Sequence, residues 1–241
     1  MQFLITSFHF IDKKKDKTIL YLHGWNASYQ TLLPLTQNLE EYNELFLDLP
    51  GCGKHKDPKE PLMISDYITI IKENFSEQID KITFIVGHSF GGKLAVKLAN
   101  HLPNLKGLFL ISPSILKGKR SFKYYYKVLK YKFCKKLHLN TKNMGSEDYK
   151  NASLIMKKTL VNIVNEDGRK EIKILHCPTL LIWGNKDMAT PIYMAYKIKK
   201  TMKNCEVIEI QGDHFAYLNK KNHVKEILTY FIKGVEKNDC S

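Results

Sequence analysis

FIVGHSFGG, residues 84–92, is the stretch on which the fold turns. Phe84, Ile85 and Val86 are consecutive strand formers with no polar residue between them, so their strand is expected to be buried on both faces. Gly87 ends it. After His88 come one serine, Phe90 and two more glycines, and KLAVKLANHL (93–102) then places apolar residues at helical spacing. A strand that becomes a helix this quickly needs a turn tight enough to strain the backbone of the residue at its apex. Glycines two positions before and two after Ser89 remove the Cβ atoms that would hold strand and helix apart. The turn lifts the Ser89 hydroxyl above the carboxyl end of the strand, at a helix N-terminus, where free N–H groups and the helix dipole favour a developing anion. Gly87-His88-Ser89-Phe90-Gly91 therefore reads as G-x-S-x-G in a strand–turn–helix setting, which marks Ser89 as a nucleophile.

Outward from that turn, strand and helix patterns alternate. This is the signature of an α/β fold, a mostly parallel twisted sheet flanked by helices. Strands are expected over 3–10, 18–24, 44–51, 81–87, 105–112, 178–184 and 205–212. Helices are expected over 29–42, 64–79, 91–102, 191–202 and 219–235. Pro34 sits in the first turn of 29–42 or kinks it. Ser65 or Asp66 is the expected N-cap of the second helix, and Pro191 the first helical residue of the fourth. The alternation breaks between Pro113 and Cys177, where the sequence is Tyr- and Lys-rich and strandless. We read residues 113–177 as a helical cap inserted between core strands, with the core formed by 1–112 and 178–241.

A serine hydroxyl needs a base, and the base needs an orienting carboxylate. Asp187 lies in GNKDMATP (184–191), directly after the strand TLLIWG. His214 lies in QGDHFAYL (211–218), just after CEVIEIQG. Ser89, Asp187 and His214 thus all fall on loops at the same edge of the sheet and can converge. Asp213 is a competing acid, but a residue beside His214 points away from its ring. The end of the preceding strand, LISPS, holds no carboxylate. Two N–H donors are also needed for an oxyanion, and we assign them to Phe90, after the nucleophile, and Trp25, in the loop His23-Gly24-Trp25-Asn26.

HGW at 23–25, DLPGCGKH at 48–55, GHSFGG at 87–92, Asp187 and His214 together resemble the α/β-hydrolase superfamily, in particular small esterases and carbon–carbon bond hydrolases with a helical cap. The similarity covers nearly the whole chain outside the cap. Asn26 and Ala27 stand where relatives often carry glycines, and Asp213 where they often have glycine before the histidine. The resemblance implies an acyl-enzyme on Ser89, with His214 as base, Asp187 as orienting acid, and no metal or organic cofactor. It implies an ester or thioester substrate. A carbon–carbon hydrolase of vinylogous diketones uses the same triad, and a binding protein on this fold is the reading from another class. His23 and His88 are assigned structural hydrogen bonds, and Cys52 a packing role.

The length of 241 residues suits one α/β domain with a modest insertion. No run approaches about 18 apolar residues, and the N-terminus lacks a basic region followed by an apolar one, so neither a membrane helix nor a signal peptide is expected. Five cysteines without CxxC spacing read as reduced thiols of a cytoplasmic protein. The net charge is +14, and it is concentrated: from Lys81 to Ser146 there are fourteen Lys or Arg and no acid. With only two arginines in the chain, coding bias explains many lysines but less easily an acid-free window of that length. RSFKYYYKVLKYKFCKKL (120–137) is amphipathic, with Phe122, Tyr125 or Tyr126, Leu129 and Phe133 at helical spacing. Its apolar stripe is expected to pack on the domain and to roof an acyl pocket, to which Tyr125, Leu129, Met156, Leu160, Phe215 and His23 are assigned. Its lysines suit an acidic acyl carrier protein or an anionic surface, and an enzyme lid explains them better than nucleic acid does. Oligomeric state is not legible.

Overall fold

The computed structural model describes residues 3–118, Phe133 and residues 146–239. Seven strands, β1 (Phe8–Ile11), β2 (Thr18–Leu22), β3 (Asn43–Leu47), β4 (Ile82–His88), β5 (Gly107–Ile111), β6 (Thr179–Gly184) and β7 (Cys205–Ile210), form one sheet in the order β1-β3-β2-β4-β5-β6-β7. Only β1 is antiparallel to its neighbour. The continuous apolar runs are the physical reason. Leu20 and Leu22 point to one core layer and Ile19 and Tyr21 to the other, all fully buried. Strands covered on both faces are mostly apolar, and buried polar exceptions such as Asn43 and Glu44 of β3 are hydrogen-bonded.

The flanking helices are α1 (Ile64–Asn74), α2 (Ser76–Ile79), α3 (Phe90–Ala99), α4 (Glu147–Asn151), α5 (Leu154–Asn165), α6 (Arg169–Ile174), α7 (Tyr193–Thr201), α8 (Ala216–Asn219) and α9 (Lys221–Asp239). The helices α4, α5 and α6 lie in sequence between β5 and β6, inside the stretch read as helical and strandless. Lys93 of α3 is buried and donates from Nζ to the carbonyls of Ile163 (2.9 Å) and Glu166 (3.0 Å), at the carboxyl end of α5. Burial pushes this ammonium down to about 8 in spite of Glu166 and Asp167 nearby.

Three local expectations are corrected. Residues 29–42 form no α-helix, only two 3-10 turns, Tyr29–Thr31 and Leu33–Leu35. Pro34 has no N–H to give, and the amides of Gln37 and Asn38 donate instead to the buried carboxylate of Glu44 (2.9 and 2.8 Å). Leu32 and Leu35 are still fully buried, so the apolar spacing reported the core contact correctly and the backbone form wrongly. The N-cap of α1 is Met63, one residue ahead of the helix; Asp66 accepts its N–H at 2.6 Å. Pro191 precedes α7, whose N-cap is Ile192.

The register puts the working loops on one edge. Leu22 pairs with Leu47 and with Gly87, His88 with Ile111, Ile111 with Ile182, and Gly184 with Ile210. The residues that follow these strand ends, from 23, 89, 112, 185 and 211 onward, therefore emerge side by side.

At the far end of the sheet, α9 is stapled by Glu236, which accepts from Tyr42, Lys17 and Lys106. Partial burial raises this carboxyl, but its three donors carry it down from 4.5 to about 2. A carboxylate with a depressed folded-state pKa contributes stability above its unfolded value and loses it as pH falls through the folded one. Stability should therefore drop between about pH 4.5 and 2. Glu236→Gln should flatten that slope in urea titrations and cost about 1–2 kcal/mol at neutral pH.

Candidate active site

Ser89 stands at the N-cap of α3 with φ 49° and ψ −109°, a left-handed strained conformation for a residue with a side chain. Glycine is needed on both sides. A Cβ on Gly91 would lie 2.0 Å from the Leu22 carbonyl oxygen, and one on Gly87 would lie 2.7 Å from the Gly92 Cα. The Ser89 amide donates to the Ile111 carbonyl (2.9 Å), and the Ser89 carbonyl accepts from Ser114 (3.0 Å), so the apex is pinned to the β5 loop. Ser89 itself stays partly exposed.

Asp187 and His214 come together. His214 Nδ1 donates to Asp187 Oδ2 at 2.7 Å. The carboxylate is fully buried and takes three further donors: the amides of Ala189 and Thr190 on Oδ1 (2.8 Å each) and the Thr190 hydroxyl on Oδ2 (2.8 Å). Burial alone would raise the Asp187 carboxyl, but the hydrogen bonds from His214 and Thr190 outweigh it and hold it below its ordinary 3.8. With Nδ1 committed, Nε2 is the nitrogen of His214 left for a proton. Asp213 is spent elsewhere, accepting the Phe215 amide at 2.9 Å.

Thr190 is absent from the sequence reading. Its hydroxyl lies 2.8 Å from Asp187 Oδ2, 3.2 Å from the Ser112 carbonyl and 3.4 Å from His214 Nδ1. Its own carbonyl accepts from the buried Trp183 Nε1 at 2.6 Å, which ties the acid loop to β6. The D-x-x-T spacing of a side chain that caps its own turn was the available signal. Thr190→Val keeps the shape and removes one donor. We expect kcat for an ester substrate to fall about 3- to 10-fold, the equivalent of roughly 1 kcal/mol, with melting temperature measured alongside.

Trp25 is partly buried and meets the Phe90 ring edge-on at 5.8 Å; Phe90 in turn meets Tyr67 at 5.1 Å. Among the described residues neither the Trp25 nor the Phe90 amide nitrogen donates to a protein acceptor. Phe215 is 48% exposed, with its ring 5.4 Å from that of His214. Met156 is buried, and its sulfur occupies the space a side chain on Gly51 would need. Leu160 is half-buried on α5. Tyr125, Leu129 and the amphipathic stretch 120–137, apart from the exposed Phe133, lie outside the described residues.

The pocket assignment of His23 is corrected. Its side chain is fully buried, Nδ1 donates to the Gly24 carbonyl (2.7 Å) and Nε2 accepts from the Leu49 amide (3.0 Å). Burial pushes it down to about 4, and both nitrogens are committed to backbone. It pins the HGW loop to the DLPG loop and has no polar atom left for a substrate.

Two clefts, of about 350 and 390 Å3, are lined by other residues, and neither lining includes Ser89, Asp187 or His214, so neither sizes an acyl chain. Among the described residues no three His, Cys, Asp or Glu gather as metal ligands, and no helix is long and apolar enough to cross a membrane.

With this geometry in place, residues 13–212 match the family model described as serine aminopeptidase, S33. The chain belongs to that family, within the α/β-hydrolase superfamily of serine hydrolases. A pimeloyl-[acyl-carrier protein] methyl ester esterase of Wigglesworthia glossinidia brevipalpis is 27% identical, over 89% of this chain and 93% of the relative. Among solved structures, the esterase EaEST of Exiguobacterium antarcticum superposes with a TM-score of 0.74 at 19% identity, covering 97% of this chain and 100% of that one. MenH from S. aureus gives 0.72 at 17%, covering 96% and 100%. These two likenesses concern the fold.

Proposed function

We propose that this α/β-hydrolase cleaves a carboxylic ester or thioester through an acyl-enzyme on Ser89. The observation that carries the reading is the buried Asp187–His214 pair at 2.7 Å, on the same sheet edge as the strained Ser89. In this reading His214 Nε2 takes the Ser89 hydroxyl proton as Oγ bonds to the acyl carbon. The carbonyl π electrons move onto oxygen, and the amides of Trp25 and Phe90 receive that oxyanion. Collapse of the intermediate breaks the bond to the leaving alcohol or thiol, which departs with the proton from His214. Water, deprotonated by His214, then attacks the acyl carbon, and Ser89 leaves with its proton restored. Asp187, held ionised, orients the ring and stabilises the imidazolium.

Residues 113–177 serve in this reading as a cap over the site, with Met156, Leu160 and Phe215 as pocket walls. The relative named for a methyl ester on an acyl carrier protein supports a small leaving alcohol and an acidic carrier. The acid-free, lysine-rich window suits such a carrier. Hydrolysis of p-nitrophenyl esters from acetate to palmitate, beside methyl esters of the same acids, tests the reading. Turnover with an optimum in chain length is the expected result. No turnover on any ester, with an intact fold, would overturn the reading and leave carbon–carbon bond hydrolysis on the same triad or a binding role for this scaffold.

A further inference from the structure

His88 is a buried titratable group that the mechanism above does not use. It is 1% exposed, at the last position of β4, covalently joined to Ser89. Its Nε2 lies 3.1 Å from the main-chain carbonyl oxygen of His214, 126 residues away and across two further strands. A carbonyl only accepts, so the proton of this bond belongs to His88 Nε2 and the other nitrogen, Nδ1, is bare. Among the described residues Nδ1 has no partner, and it sits so close to Gly24 that a Cβ there would lie 2.9 Å from it.

The surroundings keep the ring in this form. The rings of Tyr217, His214 and Phe215 lie 4.7, 4.9 and 5.4 Å from that of His88. Burial, and secondarily the neighbouring His214, push its pKa down to about 3. A second proton would be placed on Nδ1 with nothing to accept it. His88 is thus a neutral donor of fixed direction.

The consequence is geometric. Asp187 fixes the side chain of His214 from one side, but a ring held only at Nδ1 can still swing with its backbone. The carbonyl of His214 is the handle on that backbone, and the residue gripping it is the one bonded to the nucleophile. We propose that His88 is a positioning residue, which sets the placement of the His214 ring relative to Ser89 by holding the His214 carbonyl through Nε2–H. The proposal rests on the reading of Ser89, Asp187 and His214 as a triad.

The test compares His88→Phe, which keeps an aromatic ring and loses the donor, with His88→Gln, whose amide N–H reaches about as far from the backbone as the imidazole Nε2. Both are assayed on p-nitrophenyl butyrate. Competent sites are counted by labelling to completion with a fluorophosphonate, so that kcat refers to folded enzyme. Ser89→Ala is run alongside. A misplaced base slows the chemical step without weakening binding, so His88→Phe should lower kcat about 30-fold with KM within about 3-fold, and His88→Gln should recover to within about 5-fold of wild type. Wild-type kcat in His88→Phe overturns the proposal. So does an equal loss in both variants, because it would mean that ring packing matters and the hydrogen bond does not. Wild-type turnover in Ser89→Ala would instead remove the triad reading, an outcome read independently of either His88 variant.

Discussion

Ser89→Ala should lower kcat/KM on p-nitrophenyl butyrate by about 10³- to 10⁶-fold, the range seen when a triad nucleophile is removed. It should leave the melting temperature nearly unchanged. The two expectations belong together. Alanine has the same Cβ as serine, so the strained φ of 49° and the close approach of Gly91 to the Leu22 carbonyl are unaltered. What is lost is the oxygen that would form the acyl bond. Cys52, in the loop DLPGCGKH, cannot stand in: it is buried, and that burial pushes it up to about 12, far from a thiolate at neutral pH. Equal turnover in mutant and wild type would therefore mean that hydrolysis does not pass through this site. Activity lost together with the melting transition would indicate a folding defect, which the conserved Cβ geometry argues against.

The parts of the fold that could be read in the sequence are those with one physical cause. TLLIWG and TFIVG are apolar at every position but their ends, and only a strand covered on both faces asks for that. The strained turn at Ser89 was legible because three glycines at fixed offsets have a single steric purpose, now seen as the backbone contacts of Gly87 and Gly91. Residues 29–42 misled because Leu32 and Leu35 satisfy a helical period and two 3-10 turns equally well. What decided between them was Pro34, which has no N–H to give, together with Glu44, whose buried carboxylate draws the amides of Gln37 and Asn38. Thr190 went unassigned, and His88 was given a structural hydrogen bond without a partner. Their roles depend on Ser112 and on the His214 carbonyl, partners that only the tertiary structure supplies. His23 carried two readings, a pocket wall and a structural hydrogen-bonding residue, and burial with both nitrogens committed to backbone favours the second.

Asp187→Asn is the sharper test of the acid. We expect kcat to fall about 10³- to 10⁴-fold with KM little changed, and the reason is in the donor count. Oδ1 accepts two main-chain amides, from Ala189 and Thr190, whose directions the loop fixes. Oδ2 accepts the Thr190 hydroxyl and His214 Nδ1–H. An asparagine must turn its NH2 to one of these sides. Facing the two amides it would set donor against donors that cannot turn, so the NH2 takes the His214 side. The Thr190 hydroxyl can rotate to the Ser112 carbonyl, 3.2 Å away. His214 can respond only by changing tautomer, with Nδ1 now accepting and Nε2 carrying the proton. A protonated Nε2 cannot take the proton of Ser89. The variant should thus bind substrate in a nearly unchanged site and fail at proton transfer. Asp213→Asn is the matched control: its Oδ1 serves the Phe215 amide, so its loss should cost activity far less. The reverse ranking of the two variants would assign the acid to Asp213, and with it a different direction of approach to the imidazole.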